Sequence, residues 1–262
     1  MAFQRTDKGL VHKAPPITNS GFREEVGIIL PFHGRYDCVL KCVESIYKLT
    51  KTNPYKIYLV DDGSPNVNFM TGFKKSNKII PVRLNTQVGY ASACEAGFAK
   101  STEPFLVFLH SDCVVEEGNW LKSMGETLLK LQPQRVRMVG PLSNNPLGGD
   151  ERQKANKNEQ HPSRTVILED THISSCCFMV QRDLFEQTRG FLKNYPLGYW
   201  EDEEFAHRMR HFRLKQAICG TSWVRHVGEE TYKEIFRKNP NLLKVIDENR
   251  ERCIQDMRAL SQ

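Results

Sequence analysis

Four short apolar runs, each closing on polar or acidic residues, constrain what this chain can fold into more than any other feature. They are Val26 to Phe32, Tyr55 to Val60, Ile79 to Leu84 and Phe105 to Leu109. Runs that are continuously apolar suit strands covered on both faces. Between them, Tyr36 to Leu49 carries Val39, Val43 and Ile46 at helical spacing, helical residues follow Pro65, and Gly89 to Lys100 reads as a further helix. Strand and helix in alternation predict an α/β chain with a Rossmann-like, mainly parallel sheet flanked by helices. Ligands of such sheets bind beyond the carboxyl ends of the strands, where this chain places Pro31-Phe32-His33, Asp61-Asp62-Gly63 and His110-Ser111-Asp112.

Downstream, Asn119 to Leu131 reads as a helix and Arg135 to Gly140 as a strand. A polar stretch from Asn144 to about Arg164 follows, long enough to suggest a lid that closes over a ligand. Strands are expected at Thr165 to Leu168 and Ser174 to Val180, with helices at Arg182 to Thr188 and Glu201 to Phe212. The domain reading is a flexible arm over 1–24 with Pro15 and Pro16, one domain over 25–228, and a C-terminal helical extension over 229–262 interrupted at Pro240. That tail packs on the domain, makes a homo-oligomer or clamps the acceptor.

Composition narrows the function classes. With 262 residues, 39% apolar and 26% charged, the chain can bury one large core and is neither disordered nor fibrous. The first thirty residues hold no apolar run long enough for a signal peptide, and no run approaches the ~20 apolar residues of a membrane span. A cytoplasmic protein is expected, with peripheral membrane contact left open. The eight cysteines include no C-x-x-C pair, so free buried thiols are expected. A net charge of +6, scattered along the chain, favours a diphosphate ligand over a nucleic acid.

Three acidic sites carry the chemistry. In Asp61-Asp62-Gly63-Ser64, a carboxylate at a strand end can accept from a base imide or ribose hydroxyls, and Gly63 lets the chain turn beside the ligand. An aspartate that merely caps the turn fits the same residues. In His110-Ser111-Asp112, an imidazole and a carboxylate two residues apart suit a divalent cation on a diphosphate, Mn²⁺ or Mg²⁺, with the imidazole favouring Mn²⁺. In Tyr199-Trp200-Glu201-Asp202, a carboxylate beside an apolar wall suits a base that deprotonates a sugar hydroxyl, and the aromatics can stack on a sugar face.

Together these segments resemble the family 2 glycosyltransferases, the inverting group with the GT-A fold, from Val26 to about His226. Val26 to His33 looks like the family's first strand, Tyr58 to Ser64 like its second, and His110-Ser111-Asp112 stands at its Asp-x-Asp position. The resemblance implies a nucleotide-binding half over 25–112 and an acceptor half over 113–228. It implies Pro31, His33, Arg35, Asp61, Asp62 and Gly89 on the donor nucleotide, and a metal at Asp112 with His110 and His226. It further implies Asp202 as catalytic base, with Tyr199, Trp200 and Glu201 beside the acceptor. The implied reaction moves a sugar from a UDP-sugar to a hydroxyl of a glycan, a lipid-linked acceptor or a protein. Two alternatives stay open. A sugar-nucleotide nucleotidyltransferase shares the sheet, although His33-Gly34-Arg35 is a poor glycine-rich phosphate loop. A non-catalytic nucleotide or sugar-binding module could keep the same fold.

Overall fold

The computed structural model describes residues 21–73, 76–228 and 241–260. Most of the expected arm, and the Glu229 to Pro240 part of the expected extension, lie outside the described residues. The strands are β1 (Val26–Phe32), β2 (Tyr55–Asp61), β3 (Ile79–Arg83), β4 (Phe105–Leu109), β5 (Cys113–Val115), β6 (Val136–Ser143), β7 (Val166–Leu168), β8 (Cys177–Gln181) and β9 (Lys215–His226). The helices are α1 (Tyr36–Leu49), α2 (Tyr90–Lys100), α3 (Trp120–Leu131), α4 (Arg182–Gln187), α5 (Glu201–His211) and α6 (Leu242–Leu260).

All strands join one sheet in the order β3-β2-β1-β4-β8-β6-β9-β5, with β7 paired to β9. The chain builds outward from β1 through β2 to β3, then crosses back to lay β4 on the other side of β1. This reversal opens a crevice at the carboxyl ends of β1 and β4, the place where open α/β sheets take ligands. β1 through β4 are parallel, as the apolar runs predict. Beyond β4 the sheet is mixed: β8 runs antiparallel to β4 and β6, β9 parallel to β6, and β5 antiparallel to β9.

The continuous apolar runs arise because β1 feeds two cores. Ile28, Leu30 and Phe32 pack with Val39 and Ile46 of α1 and Trp120 and Leu121 of α3. Ile29 packs on the opposite side with Ala93 and Cys94 of α2 and Phe205 of α5. With alternate side chains on opposite faces, a strand covered on both must be apolar throughout. All eight cysteines are buried and free, as expected.

Two expectations are corrected. The segment after Pro65 forms only a short 3₁₀ turn, Phe69–Phe73, rather than a full helix. The arm is anchored at its end, where Phe22 is 2% exposed, packs edge-on against Phe105 and has its carbonyl held by Asn53. The stretch read as a lid folds as three short 3₁₀ turns hydrogen-bonded to the sheet. Its 3₁₀ turns are pinned to the sheet by Gln153, which is fully buried, donates to Pro141 O at 2.8 Å and accepts from Ser174 N. Trp223 Nε1 further holds Ala155 O at 3.0 Å. Ser222 to Arg225 lies near the end of the twelve-residue β9.

Candidate active site

A cavity of about 490 Å³ opens at the β1–β4 crevice. Asp62, Asp112 and Asp202, far apart in the chain, all line it. So do Pro31, His33, Gly89, His110 and His226, and the wall formed by Tyr199, Trp200 and Glu201.

At the β2 end, Asp62 accepts from Val88 N at 2.7 Å and Gly89 N at 2.9 Å, tying β2 to the start of α2. Burial pushes its carboxyl up, and the two N–H donors and His33 offset only part of that. His33 Nδ1 donates to Asp62 O at 2.7 Å, since a carbonyl can only accept. Two residues expected here do not line the cavity. Asp61 is fully buried, accepts from Ser64 N at 2.8 Å and pairs with Arg83, so its carboxylate holds the turn. Arg35, at φ 40° before α1, pairs with the adjacent Asp37 at 3.2 Å. At Gly63, with φ +67°, a Cβ would lie 2.4 Å from the Thr86 carbonyl carbon, so the neighbouring loop also requires glycine.

The second cluster follows from strand pairing. β5 runs antiparallel to β9 with Cys113 opposite His226, which carries His226 alongside Asp112. His110-Ser111-Asp112 is a turn beyond β4 rather than strand, and it closes on Cys113 N to His110 O at 3.0 Å. One ligand atom each from His110, Asp112 and His226 lies within 4.8 Å of the others. His226 Nε2 stands 3.4 Å from Asp112 Oδ1. Its Nδ1 donates to Asn145 O at 2.7 Å, which fixes the ring and leaves Nε2 aimed at the carboxylate. Asn144 holds the His226 backbone in both directions, donating to its O at 3.0 Å and accepting from its N at 2.9 Å. Burial lowers His226, but Asp112 and Cys176 beside it outweigh that and hold it up at about 11. His110 is held low by burial and by His226. Two imidazoles and a carboxylate, their ligand atoms converging and one ring locked from behind, fit a divalent cation.

The third cluster begins α5. Asp202 Oδ1 accepts from Glu203 N at 3.0 Å, which leaves the rest of the carboxylate toward the cavity it lines. Glu201 is 4% exposed, and its Oε2 has no hydrogen-bond partner among the described residues. Burial, reinforced by the Asp202 charge, pushes Glu201 up to about 8. Sequence reading missed Tyr90, whose ring meets His110 edge-on at 4.8 Å and whose hydroxyl donates to Ser175 O at 3.2 Å. It also missed Ile246 of α6, which reaches the cavity from the far end of the chain. The Asn144-Asn145 pair was legible only as a turn, and a lone isoleucine in an amphipathic helix gives no signal at all.

Comparison with known proteins gives the arrangement a family. The sequence profile described as glycosyl transferase family 2 matches residues 27–189. An uncharacterized glycosyltransferase of Rickettsia bellii (strain RML369-C) is 29% identical over 89 residues, covering 34% of this chain and 13% of that protein. Among solved structures, GalNAc-T7 with UDP, GalNAc and Mn²⁺ superposes with a TM-score of 0.60 at 16% identity, over 78% of this chain and 44% of that one. The mannosyltransferase PcManGT of Pyrobaculum calidifontis, with GDP-Man and Mn²⁺, gives 0.58 at 15% identity, over 81% and 60%. TarS of S. aureus in complex with UDP-GlcNAc gives 0.58 at 12% identity, over 77% and 58%. The chain thus spans only part of each relative's length, and at these identities the solved structures speak for the fold, which is GT-A. With the family profile spanning more than half of the sequence, the chain belongs to glycosyl transferase family 2.

Proposed function

We propose that this chain is an inverting glycosyltransferase that moves a sugar from a nucleotide-diphosphate donor, a UDP-sugar first, to a hydroxyl acceptor. One observation carries the reading: Asp62, the His110-Asp112-His226 cluster and Asp202 come from distant segments and line a single cavity. UDP or UDP-GlcNAc in two of the similar solved structures favours uridine, and GDP-Man in another keeps guanosine as the competitor.

In this reading Pro31, His33, Asp62 and Gly89 form the donor nucleotide side. Asp112, His110 and His226 hold a Mn²⁺ or Mg²⁺ ion, which when bound supplies positive charge against that of the departing diphosphate. Asp202 takes the proton of the acceptor hydroxyl as it attacks the anomeric carbon from the face opposite the diphosphate. Burial holds the Glu201 carboxyl up beside Asp202, which favours its neutral form. Tyr199 and Trp200 offer ring faces for a sugar beside it.

Replacing Asp202 with Asn tests the assignment. Hydrolysis or transfer of the donor sugar should fall by roughly 10²–10⁴-fold, the usual worth of a general base, while UDP still binds in the presence of Mn²⁺. Turnover close to that of the unaltered chain would remove Asp202 from the mechanism. UDP binding without turnover by the unaltered chain, across a panel of nucleotide sugars, would favour the binding module instead.

A further inference from the structure

Leu197, Gly198, Tyr199 and Trp200 have φ of 65°, 108°, 69° and 73°, four successive residues in the left-handed region, three of them not glycine. L residues avoid this region, so the segment holds its shape only if its surroundings determine it. Its own backbone bond, Gly198 N to Tyr195 O, is long at 3.3 Å. The restraint comes from α6, where Asn249 is fully buried beneath the turn and donates through Nδ2 to Pro196 O at 3.1 Å and to Gly198 O at 2.7 Å. Arg252 donates to Asn249 Oδ1 at 3.1 Å, which settles which way the amide faces. One residue earlier in the turn, Tyr195 donates its hydroxyl to Asp256 at 2.9 Å. On the opposite side the turn abuts Gly89, where a Cβ would lie 2.6 Å from Leu197 N.

Asn249 occupies a position that helical spacing assigns to an apolar residue, between Leu242 and Cys253 on the buried face of α6. Burying an amide there is unfavourable unless its hydrogen bonds are satisfied, and those bonds run to the turn that leads into Glu201 and Asp202. We propose that Asn249 is a positioning residue of the active site: through the carbonyls of Pro196 and Gly198 it sets the left-handed turn that places Tyr199, Trp200 and Asp202 along the cavity. The inference rests on the transferase reading above and adds to it a role for the C-terminal helix. Seen this way, α6 is part of the site rather than an appendage.

The test compares Asn249→Ala, the isosteric Asn249→Asp and the milder Arg252→Ala in the full chain. Aspartate keeps the volume but, ionised, turns acceptors toward two carbonyl oxygens. If Asn249 merely fills space, N249D behaves like the unaltered chain; if its N–H donors hold the turn, N249D fails at least as badly as N249A and regains part of its activity at acidic pH. Amide exchange over residues 195–204 should rise by about tenfold or more, with the β4 peptide 105–109 unchanged. Hydrolysis of the best UDP-sugar should fall by about tenfold or more in kcat, while UDP with Mn²⁺ binds within about threefold of normal. R252A should shift the same quantities less. N249D that matches the unaltered chain in exchange and kcat overturns the proposal. Absence of hydrolysis by the unaltered chain on every donor counts against the transferase reading, and the exchange of residues 195–204 then decides the clamp by itself.

Discussion

At the scale of single residues, the acids of this site have different fates because their surroundings differ. Asp61 and Asp62 are neighbours in sequence, yet one is neutralised inside a turn by Arg83 and Ser64 N while the other reaches the cavity. Alternation along a strand puts them on opposite faces, so a sequence that shows two adjacent carboxylates cannot say that both meet a ligand. Glu201 and Asp202 repeat the contrast, and here it has a measurable consequence. The Glu201 pKa is raised from 4.5 to about 8 by burial and by Asp202. A carboxyl raised on folding is neutral in both states below its unfolded pKa, and it opposes folding increasingly as pH climbs through the window toward the folded one. Stability should therefore fall as pH rises from about 4.5 toward about 8. Thermal unfolding across that range should show the fall, and Glu201→Gln should flatten it. An equally steep decline in the variant would mean that Glu201 is not the group responsible.

At the scale of elements, the parallel half was legible because β1 and β4 are apolar throughout, β2 and β3 largely so, and β1 and β3 lead into helical spacing. The mixed half was not. β5 has three residues, too few for a pattern, and β9 begins with Lys215 and Gln216, which disguise a twelve-residue strand. Their pairing is nevertheless what brings His226 to Asp112. Asn249 was illegible for another reason, since a polar residue on a helix reads as solvent-exposed until its partners are known. Turn residues also carry information that a sequence motif does not show. Gly63 reads from sequence as a turn beside a ligand, and it is also the point where the end of β2 passes the Thr86–Gln87 backbone. Gly63→Ala should lower stability by about 1–3 kcal/mol through the positive φ and the contact, measured by urea unfolding. It should also weaken UDP binding, because the displaced loop includes the Val88 and Gly89 donors to Asp62. Stability and UDP affinity both unchanged would mean that the loop accommodates a side chain freely.

At the scale of the whole molecule, the site joins the two halves of the sheet. The first half contributes Asp62 and Asp112, and the second contributes Asp202 and His226. A ligand that engages both halves binds the folded chain and not the unfolded one, so it must stabilise the fold by mass action. At a hundredfold excess over Kd, the stabilisation is about 2.7 kcal/mol. For a chain of this size that corresponds to a rise in Tm of roughly 5–10 °C with UDP and Mn²⁺ together. The contribution of the cation can be separated from that of the nucleotide. His226→Ala removes the imidazole that β9 holds beside Asp112 without touching the Asp62 end of the cavity, so under the proposed function it should abolish the increment added by Mn²⁺ and keep the increment from UDP alone. Asp202→Asn, which changes none of the three residues of that cluster, should keep both. A His226→Ala chain that retains the full Mn²⁺ increment would show that β9 does not hold the cation, and the pairing of β5 with β9 would then have a purely structural role.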